Sequence, residues 1–285
     1  MRATLLRAIL VTLSLSVVPS AGIAQTSAVG YFNRGVAENA NGDFEGAIAD
    51  YNRAIELDPK YAAAYSNRGN AKQAKGDLDG AIADCSRAIE LDPKDPMAHK
   101  HRGVAKKAKG DLEGAIADYN RAIELDPKYS AAYFHRGIAK QAKGDLKGAI
   151  DDINGAIERN NQDFYPRLFL WLMRSRLGET DAANKELAAF LDKRRNATPE
   201  EWTSKVAGYL LGNASEADLL AAAKSSDAKK ERSLFCEAWF FAAMRKLLGG
   251  DKAAAADYFR KCIATGQTNF VEYQLAKSEL KALTK

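Results

Sequence analysis

Side chains able to do chemistry are few in this 285-residue chain, and their spacing argues against catalysis. Its histidines are His99, His101 and His135, and its cysteines are Cys85, Cys236 and Cys262. His99 and His101 are two apart, so on a helix they point to different faces and cannot chelate one metal jointly. His101 and His135 stand 34 residues apart, but no third ligand accompanies them, so all three read as surface or ridge histidines. The chain has no GxSxG, HExxH or P-loop motif and no CxxC zinc pair. We therefore expect no enzyme, no metal and no cofactor.

Composition narrows the classes further. Hydrophobic residues at 46% and charged residues at 28% exclude a mainly disordered chain and a multi-span membrane protein. Residues 1–24 read as a secretory signal, with Arg2 and Arg7 ahead of an apolar stretch from Ala8 to Val18 and cleavage expected after Ala24. Without that leader the +5 charge becomes +3, from 40 basic and 37 acidic residues. Both signs alternate along the chain, so nucleic acid is not an expected partner. The first cysteine is Cys85, which argues against a lipid-modified N-terminus. The expected product is a soluble periplasmic or secreted bacterial protein with no membrane span.

The elements that position these side chains come from a repeat. From residue 28 the sequence recurs every 34 residues, giving units 28–61, 62–95, 96–129 and 130–163. Position 8 is Gly35, Gly69, Gly103 and Gly137, and position 20 is Ala47, Ala81, Ala115 and Ala149. Position 24 is Tyr51, Cys85, Tyr119 and Ile153, and position 27 is always Ala. Position 32 is Pro59, Pro93 and Pro127, with Asn161 in the fourth unit. Four units agreeing at several positions form a strong signal that resembles the tetratricopeptide repeat (TPR) family.

The resemblance implies an all-α solenoid of antiparallel helix pairs, A and B, wound into a right-handed superhelix. Small residues at positions 8, 20 and 27 let backbones approach, and position 24 is expected to fill the space between neighbouring repeats. Gly42, Gly76, Gly110 and Gly144 end helix A in a left-handed conformation, and the Asp after each caps helix B. Residues 164–197 continue as a degenerate repeat with Trp171 in place of the position-8 glycine. Residues 198–235 read as a helical insertion, with helices near Pro199–Leu211 and Ser215–Lys224 and a charged connection over Asp227–Ser233. A last repeat starting at Cys236 and a capping helix near Phe270–Leu283 complete residues 236–285.

TPR arrays bind polypeptides in a concave groove lined by helix A. The matching positions give Phe32, Val36 and Asn39; Ser66, Asn70 and Gln73; Met97, Lys100, Val104 and Lys107; and Phe134, Ile138 and Gln141. Exposed Phe and Ile beside amides and lysines suit an extended peptide or an amphipathic helix. The carboxylate clamp of some TPR proteins is mostly absent, since Asn70 and Lys100 match it while Phe32, Val36 and Val104 do not.

Residues 160–275, through Trp171-Leu172, Tyr209–Ser215 and Asn269–Tyr273, are similar to the end of the bacterial new-lipoprotein-I family. That resemblance implies an envelope adaptor holding a periplasmic protease or a peptidoglycan hydrolase, with a self-associating structural module as the alternative. The cysteines fit the same frame. Cys85 takes a core position and reads as a small hydrophobe. Cys236 and Cys262 fall at the start of helix A and the end of helix B of one pair, which lie side by side. They are either a disulfide or two separate packing residues.

Overall fold

The computed structural model describes residues 26–194, 202–268 and 270–284. The leader and its cleavage site lie outside the described residues, as does Asn269. Among the described residues there are fifteen helices and no strand. Four hairpins come first: α1 Ala28–Ala40 with α2 Phe44–Leu57, α3 Ala62–Ala74 with α4 Leu78–Leu91, α5 Pro96–Lys109 with α6 Leu112–Leu125, and α7 Ser130–Ala142 with α8 Leu146–Arg159. A fifth pair, α9 Tyr165–Arg176 and α10 Thr180–Arg194, continues the stack. Two short helices follow, α11 Trp202–Leu210 and α12 Glu216–Ala222. The chain closes with α13 Ala228–Leu248, α14 Lys252–Ala264 and α15 Val271–Leu283.

Local chemistry sets the helix ends. Asp43, Asp77, Asp111 and Asp145 each accept a bond from the backbone N–H three residues on, at 2.9–3.0 Å, which satisfies one free donor of each B helix. Each of the first three B helices stops two residues before its proline. The residue between, Asp58, Asp92 or Asp126, is extended with φ near −135°, the conformation that a following proline demands.

Inside each hairpin a glycine lets the two helices touch. A Cβ on Gly69 would sit 2.6 Å from Cys85 Sγ, and one on Gly103 would sit 2.7 Å from the Tyr119 ring. Position 24 therefore fills the space against position 8 of its own repeat, not chiefly the gap between repeats as expected. In the fifth pair this device is lost. Trp171 is buried there instead, and its Nε1 donates to Asn184 Oδ1 at 2.7 Å, which ties α9 to α10.

The charged segment 227–233 is not a connection. Asp227 caps α13, accepting from the N–H groups of Lys229 and Lys230 at 2.8 and 3.1 Å, so that helix starts eight residues before Cys236. Lys229, Lys230, Glu231 and Arg232 are the solvated first turns of a helix, where charge density resembles that of a loop. These extra turns carry Lys229 back to the first repeat, where its Nζ donates to Asn41 O at 2.5 Å. Helices α11 and α12 pack on α13, and α15 packs on both α13 and α14. No described helix is long and apolar enough to cross a membrane.

Candidate functional site

The A helices α1, α3, α5 and α7 lie side by side and form one face of the array. From that face Asn39, Asn70, Gln73, Lys100 and Val104 line a cavity of about 450 Å³. The opposite wall is the C-terminal lobe, which contributes Lys229, Ser233, Gln267 and Phe270. The expected open groove is thus a chamber over repeats 1–3. Two contacts hold the lobe across it: Lys229 lies over Gly42 and Phe44, and Thr268 Oγ1 donates to Ala74 O at 3.2 Å.

The electrostatics of the chamber are one-sided. Its described lining residues include two lysines and no carboxylate. Burial pushes the Lys100 ammonium down to about 8, with Cys85 and Asp95 opposing that shift. Among the described residues no hydrogen bond or ion pair holds it. Next to it, His101 is buried and His135 is half-buried, and desolvation together with the charge of Lys100 holds both well below the usual imidazole range. They are neutral at physiological pH, and His101 Nδ1 shares a hydrogen bond with Ser66 Oγ at 3.1 Å. His99 and His101 are interior groups, correcting the expectation of a surface or ridge position, while His135 faces the chamber. Among the described residues no cluster of three or more His, Cys, Asp or Glu could hold a metal ion.

Beyond the chamber the concave side is filled. Phe134 and Ile138 are only 7% and 0% exposed, so they are not available as groove residues, and Gln141 is buried outside the lining of the chamber. The reason is packing: Phe134 meets Phe169 edge-on at 5.4 Å, and Ile138 joins the same core as α9 and α13. Lys107 faces Glu272 of α15 instead of the cavity, and burial pushes its ammonium down to about 8. Burial pushes Glu272 up to about 7, while the Tyr165 hydroxyl, which donates to its Oε1, works the other way. Glu237, pushed up to about 8 by burial and by Glu272, accepts from Trp202 Nε1 at 2.8 Å. Of the remaining expected residues, Phe32 packs on Tyr51 and Tyr61, Ser66 is buried, and Val36 and Met97 are exposed outside the lining.

Sequence reasoning missed His135, Lys229, Ser233, Gln267 and Phe270 in the lining. For the last four no repeat position could have pointed to them, because they belong to the lobe and its connections. It also missed a ladder that the repeat did carry. Arg at position 7 pairs with Asp at position 23 in every regular unit, as Arg34–Asp50, Arg68–Asp84, Arg102–Asp118 and Arg136–Asp152. Three of these arginines also reach the preceding repeat, at Asn52, Ser86 and Asn120. Burial opposes the charge on Asp118, but bonds from His99, Arg102 and Lys106 outweigh it and hold the carboxyl below its ordinary range.

Comparison with known proteins agrees with this architecture. The model described as "TPR repeat" matches residues 35–76 and 105–144, and the one described as "Tetratricopeptide repeat" matches 62–95. No curated protein matches the sequence. Among solved structures, a MamA protein is 24% identical at a TM-score of 0.50, covering 62% of this chain and 97% of its own. A tetratricopeptide repeat protein from Parabacteroides merdae is 18% identical at 0.51, covering 90% and 99%. MamA from Desulfovibrio magneticus RS-1 is also 18% identical at 0.51, covering 60% and 96%. At these identities the likeness speaks for the fold alone. The chain carries tetratricopeptide repeats, and its fold is an all-α TPR solenoid.

Proposed function

We propose that this protein is an exported, non-catalytic adaptor that binds a segment of a partner polypeptide in the chamber between repeats 1–3 and the C-terminal lobe. One observation carries the reading: a cavity of about 450 Å³ lined by amides, two ammonium groups and apolar patches, with no carboxylate among its described lining residues. A volume of that size suits a short stretch of chain. The amides of Asn39, Asn70, Gln73 and Gln267 match backbone groups, Phe44 and Phe270 offer apolar contact, and Lys100 and Lys229 favour a segment bearing negative charge. Export rests on the leader pattern of residues 1–24. The similarity of residues 160–275 to an envelope adaptor family supports a protease or a peptidoglycan hydrolase as partner.

The test is capture of such an enzyme from an envelope extract by the mature protein, beside the Lys100→Glu variant. The reading predicts recovery of a protease or cell-wall hydrolase by the wild type and at least tenfold less by the variant. Absence of both enzyme classes from the wild-type eluate contradicts it. Self-association is the second reading, drawn from Val29 and Val36, which are 56% and 40% exposed on the first helix. Light scattering separates the two, since a concentration-independent monomer removes self-association.

A further inference from the structure

In the C-terminal lobe, Cys236 of α13 and Cys262 of α14 place their sulfur atoms 3.5 Å apart, and neither side chain is exposed. The third cysteine cannot compete, because Cys85 is buried against Gly69 in the second repeat. A disulfide needs about 2.0 Å between its sulfurs, a closure that side-chain rotation can supply between two helices already packed together. We propose that Cys236 and Cys262 are a modification site: they oxidise to a disulfide that staples α13 to α14.

The reaction is thiol–disulfide exchange with an oxidised thiol oxidoreductase or a small disulfide such as oxidised glutathione. Each thiol gives up a proton and an electron, one S–S bond forms, and the donor disulfide is reduced to two thiols. The contact with Cys236 and burial both hold the Cys262 thiol well above its usual range, so its thiolate is scarce once the lobe is packed. Both side chains are also fully buried there, out of reach of the oxidant, so the bond forms while the hairpin is docking, not in the finished lobe. It matters to the chamber because α13 supplies Lys229 and Ser233 to one wall. Closing a loop between residues 236 and 262 restricts the unfolded chain and so stabilises the folded lobe that supplies that wall. The inference does not depend on polypeptide binding.

The experiment is refolding of the whole protein from denaturant with oxidised and reduced glutathione, then labelling of free thiols under denaturing conditions and intact mass. The expected product has one labelled thiol, Cys85, with a mass lower by two hydrogens, and peptide mapping that joins residues 236 and 262. The Cys236→Ala variant should show two labelled thiols and no bridge. The oxidised wild type should melt about 5 °C above its reduced form, a difference that Cys236→Ala abolishes. Three labelled thiols, or a bridge that includes Cys85, would overturn the proposal.

Discussion

Glu272 is the residue with the most to say about pH. It is 1% exposed, beside Tyr165, Lys107 and Glu237, and burial pushes its carboxyl up to about 7. A raised carboxyl binds its proton more tightly in the folded chain. Its stabilising contribution is therefore fully present below the unfolded value of about 4.5 and is lost as pH rises to about 7. Glu237 acts in the same direction up to about 8. His101 and His135 act oppositely, since their lowered values stabilise above the ordinary imidazole range and cost stability as pH falls. Glu272→Gln isolates the carboxyl. We expect its stability relative to wild type, from urea unfolding, to rise steadily between pH 5 and pH 7 and then level off. A constant difference across that range would contradict the assignment. Nothing in the sequence marked this residue, because its environment depends on α15 docking against the repeats.

At the scale of the helix pair, two contacts set stability. Alanine at Gly103 gains helix propensity, worth about 1 kcal/mol, but its Cβ meets the Tyr119 ring, which is fully buried and has no room to yield. We expect Gly103→Ala to destabilise by about 2 kcal/mol net in denaturant unfolding, whereas Gly110→Ala is strained by backbone alone, at φ 95°. The second contact is the arginine ladder. Asp118→Ala removes the carboxylate shared by Arg102 and Lys106 at 2.7 Å each and leaves both cations partly buried. It should cost about 3 kcal/mol, while Glu124→Ala, on an exposed pair, should cost under about 0.5 kcal/mol. The helix pairs were legible because Gly, Asp and Pro recur at fixed positions where turns, caps and stops require them. The interruption was less so. Periodicity fails between the fifth and last pairs, and a charged first turn such as Lys229–Arg232 has no apolar stripe to announce a helix.

For the whole molecule, the repeats predicted a groove and the lobe turned it into a chamber. Asn39, Asn70, Gln73, Lys100 and Val104 were legible as lining residues from repeat position alone. Phe134, Ile138 and Gln141 share those positions, yet the helices that follow bury them. A repeat motif reports the local register and not what the end of the chain folds onto. Lys229, 188 residues from the carbonyl of Asn41, shows how far apart the two sides of the chamber are in sequence. Lys229→Ala removes that contact, so we expect faster hydrogen exchange in residues 228–235 with the melting temperature within about 2 °C of wild type. Unchanged exchange there would mean that Lys229 does not hold the wall.

The central claim is that the partner enters this chamber, and site-specific photo-crosslinking in cells tests it most directly. A photoreactive amino acid at Asn70, which lines the cavity, is compared with one at Glu124, whose side chain is 62% exposed on a B helix. The account predicts a covalent adduct to one polypeptide partner from position 70, none from position 124, and loss of the adduct when Lys100→Glu is added. Equal adducts from both positions, or an adduct from position 124 alone, would contradict it.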